Sequence, residues 1–176
     1  MKRIALGVFV VLLFGSSFLL LFAWQEHCKA MDAESCRRFL PDRVPMESES
    51  IQVDNKNSAG IQFPNQARIA IAALVSSGLS KEMQQKYQYA FVSEARVRLD
   101  RWSIPAGMVG LGPGPNGAQG GQTLALTARD FLGNEIETII LTLDPNATDD
   151  KISMTPKGPA AFELRIGKYV IQGTQR

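Results

Sequence analysis

The chain has 176 residues with 19 Lys and Arg against 17 Asp and Glu, a net charge of +2. So near-neutral a chain carries no basic field for nucleic acid. Two cysteines and a single histidine, all within the first 36 residues, leave the rest of the chain without the thiol or imidazole that most nucleophilic catalysis uses.

Lys2 and Arg3 precede an uncharged run, Ile4 to Trp24, of 21 residues. A helix of that length spans roughly 30 Å, the thickness of a bilayer's hydrocarbon core. Residues 1–24 are therefore expected to be a transmembrane anchor, with the basic N-terminus cytoplasmic and the remainder exported. A cleaved signal segment, which would leave a secreted domain, is the alternative. It is disfavoured because the apolar run exceeds the usual 7–15 residues and no small-x-small site follows it directly. Trp24 stands where an interfacial aromatic is expected.

Residues 25–59 read as a polar tether that would hold the domain off the bilayer. Pro41, Pro45, Ser48-Glu49-Ser50 and Asp54 to Ser58 punctuate it, and its scarcity of apolar residues argues against independent folding. Asp32–Phe39 is the one stretch there with helical character. In an oxidising compartment Cys28 and Cys36 are a disulfide candidate. His27, Cys28, Cys36 and either Asp32 or Glu34 would be a metal set, but the spacing is not that of a zinc motif.

Residues 60–176, about one domain's worth of chain with the tether, change to period two. Arg68–Val75 is a short apolar run ended by Ser76-Ser77-Gly78; its alanines suit a helix, and its β-branched residues favour a strand. Ser80 is placed to cap a short helix through Tyr87, with Met83 and Tyr87 on one face. Val97 and Leu99 alternate with Arg96, Arg98 and Asp100, as a half-buried strand does. Pro105 limits Ile104–Leu111 to a strand start, an edge or a bulge.

Strands are predicted over 123–129, 136–143, 151–155, 162–166 and 169–171. Gly133-Asn134 and Gly167-Lys168 read as two-residue hairpin turns, since a type II′ turn needs positive φ at its first position. The fold class is mainly β, a small antiparallel sandwich or barrel with one short helix behind an N-terminal transmembrane helix. Its expected core is Leu124, Leu126, Ile139, Leu141, Leu164, Ile166 and Tyr169.

Ser77-Gly78-Leu79, Lys86-Tyr87-Gln88-Tyr89, Ser93-Glu94, Ile104-Pro105-Ala106-Gly107, Gly110-Leu111-Gly112 and Gly167-Lys168-Tyr169-Val170 occur in one order. Over residues 70–173 this resembles uncharacterised exported bacterial β-domains marked by a Leu/Ile-Pro-Ala-Gly hairpin. Met108 replaces that group's usual aromatic, and a glycine-rich insertion follows. The resemblance implies a β fold and an envelope setting, and brings no catalytic residues.

No motif names a reaction. Gly112-Pro113-Gly114-Pro115-Asn116-Gly117 matches GxGxxG, but its prolines open no helix and no βαβ unit surrounds it, so it reads as a hairpin tip. Asp144–Asp150 alternates oxygen ligands but has Asp149 where a calcium loop needs glycine, so it reads as a turn. Asn146-Ala147-Thr148 is an acceptor sequon. Glu94 with Asp100 and Glu135 with Glu137 read as solvent-face charges, not as a hydrolase pair.

Tyr87, Tyr89 and Trp102 are the candidate binding platform. No catalytic residue, cofactor or metal is expected. The best reading is a membrane-tethered, non-catalytic envelope module that binds a protein partner. A lipid- or saccharide-binding barrel is the alternative, and a hydrolase comes behind it.

Overall fold

The computed structural model describes residues 27–114 and 121–176. The expected span at 4–24 lies outside these, as does the second half of the GxGxxG match, residues 115–117. Among the described residues no helix is long and apolar enough to cross a membrane.

The described residues form thirteen strands and two short helices. In order these are β1 (Lys29–Ala30), α1 (Ala33–Phe39), β2 (Arg43–Met46), β3 (Glu49–Gln62), β4 (Arg68–Leu74), α2 (Lys81–Lys86), β5 (Tyr89–Ser93), β6 (Val97–Leu99) and β7 (Trp102–Ile104). Then follow β8 (Gly107–Pro113), β9 (Thr123–Arg129), β10 (Glu135–Leu143), β11 (Ile152–Pro156), β12 (Ala161–Ile166) and β13 (Tyr169–Gln175). The antiparallel sheet runs β1-β3-β4-β5-β8-β9-β10-β13-β12-β11, with β6 and β7 branching from β13. Its last strand, β11, packs back against β3, so the sheet is a nearly closed barrel and not a sandwich. At the seam the Cys28 thiol donates to the carbonyls of Gly158 (2.8 Å) and Ala161 (3.2 Å).

Alternation along the strands fills the barrel. Ile69, Ile71, Phe91, Leu111, Leu126 and Ile139 point inward, with Phe63 and Phe162 edge to face between them. Leu126, Ile139, Leu141, Leu164 and Ile166 of the expected core are buried, and Leu124 and Tyr169 pack against them partly exposed. The Arg68–Val75 run is a strand, and its alanines have a tertiary purpose. Ala70 and Ala72 face outward with Ala90, where a second layer lies directly on the sheet.

That second layer comes from residues expected to be a tether. From Cys28 onward the segment is folded into the body. Opposite β4, Asp54 pairs with Ala73 but Ser58 pairs with Ala72, leaving Asn55–Asn57 as extra residues in a bulge. Beyond the bulge the first half of β3 pairs with β2, and Val44, Met46, Ile51 and Val53 cover Ala70, Ala72 and Ala90. The apolar residues of this hairpin alternate with polar ones. Composition averages that alternation away, which is why the segment read as a tether.

Two helices, not one, complete the cover. Asp32 caps α1 by accepting from Ser35 N–H (2.7 Å), and Ser80 caps α2 by accepting from Met83 N–H (3.2 Å). Of the two expected two-residue turns one is present. Gly167 (φ +57) and Lys168 join Ile166 to its partner Tyr169, and Lys168 does not share the positive φ, as type II′ requires. The other is a longer loop, Asp130–Asn134. Gly133 does take φ +87, but Asp130 Oδ1 organises the loop by accepting from Leu132 and Asn134 N–H, both 2.9 Å.

Candidate functional site

The cysteines do not form the expected disulfide; both are free and buried. Cys28 is in the barrel interior, whereas Cys36 on α1 faces the outer side of Gly60 on β3. The wall of the barrel separates them, so spacing in sequence did not become proximity. Burial, and behind it the charge of Asp32, pushes the Cys36 thiol up. Among the described residues no three His, Cys, Asp or Glu side chains gather as a metal site.

Tyr87, Tyr89 and Trp102 do not meet as a platform. Tyr87 caps the end of α2 and lies 2% exposed in the outer layer, against Gly110 and Met46. Tyr89 and Trp102 pack instead against the barrel core, the latter with Arg101 stacked on its ring at 4.4 Å. The Asp144–Asp150 segment is a turn. Asp144 accepts from Asn146 N–H (3.0 Å) and pairs with Arg165 (2.8 Å), which leaves its carboxylate engaged and below the usual range.

What stands open is apolar and lies around the Asp130–Asn134 loop. Phe131 is 56% exposed and Leu132 64%, the two most exposed large hydrophobic side chains described, and Ile140 at 40% and Ile136 at 36% follow on β10. Beside them is a groove of about 430 Å³ lined by Pro45, Pro105, Met108, Asp130, Phe131 and Ile136. Pro105 and Ala106 carry the chain from β7 to β8, which do not pair with each other, so the Ile-Pro-Ala-Gly segment is a groove wall and not a hairpin turn.

A charged cluster holds this region in place. Glu47, at the tip of the β2–β3 hairpin, adopts φ +54, a left-handed conformation that costs an L-residue roughly 1–2 kcal/mol. Its neighbours hold it there. Its N–H donates to Phe131 O (2.6 Å), and its carboxylate accepts from Tyr87 O–H (2.9 Å) and Lys86 Nζ (2.8 Å). Lys86, then Tyr87, keep the Glu47 carboxyl below its ordinary range, and burial followed by that same carboxylate pushes the Tyr87 phenol up. Gly133 must lack a side chain, because a Cβ there would stand 2.7 Å from Glu47 Cδ. Arg129, largely buried, pairs with Glu135 (2.6 Å) and donates to the Lys86 carbonyl (3.3 Å). The cluster is thus neutralised within itself, and its chemistry is that of a brace.

A larger cleft, about 830 Å³ between α1 and β3, is lined by Glu34, Arg37, Asp42, Asp54 and Lys56, charges of both signs open to water. Ala33, Val53 and Val75 line it as well, but none of the exposed large hydrophobic side chains lies there, so the groove beside Phe131 and Ile136 is the better candidate. Sequence reading missed the groove because its walls come from β2, the β7–β8 link and the β9–β10 loop. One signal was present in Phe131-Leu132, two large apolar residues where loop chemistry calls for polar ones.

No family model, no curated protein and no solved structure matches this chain.

Proposed function

We propose that the chain is a membrane-tethered, non-catalytic module of the cell envelope that binds a protein partner through the Pro45–Pro105–Ile136 groove. Residues 4–24 are the anchor, the N-terminus is cytoplasmic and the barrel is extracytoplasmic. The observation that carries the reading is the open groove walled by Pro45, Pro105, Met108 and Ile136, apolar side chains beside an exposed apolar loop, since exposed apolar clusters on folded proteins mark interaction sites. The resemblance to exported β-domains supports the same setting. A lipid or saccharide would need the barrel interior, which Phe63, Phe91 and Phe162 occupy at 1% exposure or less.

The test is site-specific photocrosslinking of the full chain in native membranes. A benzoylphenylalanine at Met108, in the groove, should give a discrete protein adduct, and one at Gln172, exposed on β13, should not. The same adducts from both positions, or none from Met108, would overturn the reading.

A further inference from the structure

The barrel has a definite end from which its N-terminal chain emerges, and the apolar loop is at that end. One row of paired residues runs across the sheet: Ala30 opposite Ile61, Ile61 opposite Ile69, Ile69 opposite Ser93, and Ser93 opposite Gly107. On the next strand Gly110 pairs with Arg129, so the chain beyond Arg129 continues toward the level of Gly107. Asp130 and Phe131 do line one groove with Gly107. The Asp130–Asn134 loop is therefore at the same end of the strands as β1. From β3 to β9 there are four strand spacings, roughly 19 Å around the wall.

The connection to the apolar segment is short. Only Gln25, Glu26, His27 and Cys28 separate Trp24 from β1. Five residue steps reach at most about 18 Å, so an anchor ending at Trp24 cannot hold this end of the barrel far from a bilayer. Charge at this end is mixed: Lys29 and Arg96 are exposed, Glu94 and Glu135 are paired with Arg68 and Arg129, and Asp130 keeps its carboxylate in capping its own loop.

We propose that this end of the barrel rests on the bilayer, with Phe131 and Leu132 seated in the lipid interface as a second contact beside the anchor. The proposal rests on the reading of residues 4–24 as an anchor. Two adjacent large apolar side chains supply the buried area for such a contact. The groove then opens at the membrane surface.

The experiment uses the full chain reconstituted in vesicles of phosphatidylethanolamine and phosphatidylglycerol at three to one. An environment-sensitive fluorophore is placed at Leu132→Cys and, separately, at Asn146→Cys, an exposed turn position beyond the opposite end of β10. The wild-type chain, whose two cysteines are buried, supplies the background. Quenching by nitroxide-bearing lipid should be about threefold stronger at position 132 than at 146, with blue-shifted emission. If the chain floats with the vesicles but position 132 is no more quenched than 146, the bilayer contact is refuted and the anchor stands, leaving Phe131 and Leu132 as protein-facing residues. If the chain does not float, both readings fall.

Discussion

Tyr87 is the residue on which the binding-platform expectation and the packed structure differ most, and Gly110 provides the means to separate them. A Cβ at Gly110 would stand 2.6 Å from Tyr87 Cε1 and 3.0 Å from Met46 Sδ. Ordinary carbon contacts begin near about 3.5 Å, so the ring must retreat by roughly 1 Å. It has little room to do so, because the side chain is 2% exposed and its hydroxyl is fastened to Glu47. Gly110 has no positive φ, so Gly110→Ala tests contact alone. Overpacking of this kind costs about 2 kcal/mol, a fall in Tm of roughly 4–8 °C for a domain of this size. Tyr87→Ala by itself should cost more, about 3–5 kcal/mol, by emptying the layer between α2 and the sheet. Once the ring is gone, Gly110→Ala should cost almost nothing further. Thermal unfolding of the full chain in detergent, followed by circular dichroism, reads all four corners of this cycle. A Gly110→Ala shift below about 1 °C, or an equal cost with and without the tyrosine ring, would refute the packing argument.

Acid should weaken the fold. Arg68 beside Glu94, Arg165 beside Asp144 and Lys86 beside Glu47 hold those carboxyls below their ordinary values. A depressed folded-state value contributes stability that is present above the unfolded-state value and is lost as pH falls through the folded one. Tm should therefore be flat near neutrality and decline below about pH 4.5, with Glu94→Gln flattening the decline; a Tm that rises on acidification contradicts the ion-pair assignments. The two thiols should both alkylate in denaturant without reductant, and Cys36 should react slowly in the folded chain. Mass spectrometry showing no adduct before reduction would mean that they pair after all.

Much of the barrel was legible along the chain. Alternation is a local property with period two, so Val97-Arg98-Leu99 and the runs at 123–129 and 162–166 announce strands without reference to anything distant. The capping residues Asp32 and Ser80 act within three residues of themselves, and Gly167 meets a requirement of its own turn. The candidate site was not legible in this way. Pro45, Pro105, Met108 and Ile136 are scattered over more than ninety positions, and none is unusual where it stands. The tether reading failed for a related reason. The residues of β2 and the first half of β3 bury one face against Ala70, Ala72 and Ala90, partners that no window around residue 45 contains.

The amino-acid sequence by itself determined the apolar segment at 4–24, the strand character of the domain and the poverty of thiol and imidazole within it, because hydropathy, alternation and composition are properties of the chain alone. Only the tertiary structure decided that the strands curl into a nearly closed, filled barrel and that Cys28 and Cys36 fall on opposite sides of its wall. It also decided that Tyr87 is a buried cover and that Phe131 and Leu132 share one end with the emerging N-terminal chain. Each of these depends on which strand lies beside which, and pairing across a sheet is a relation between distant segments that no local pattern encodes.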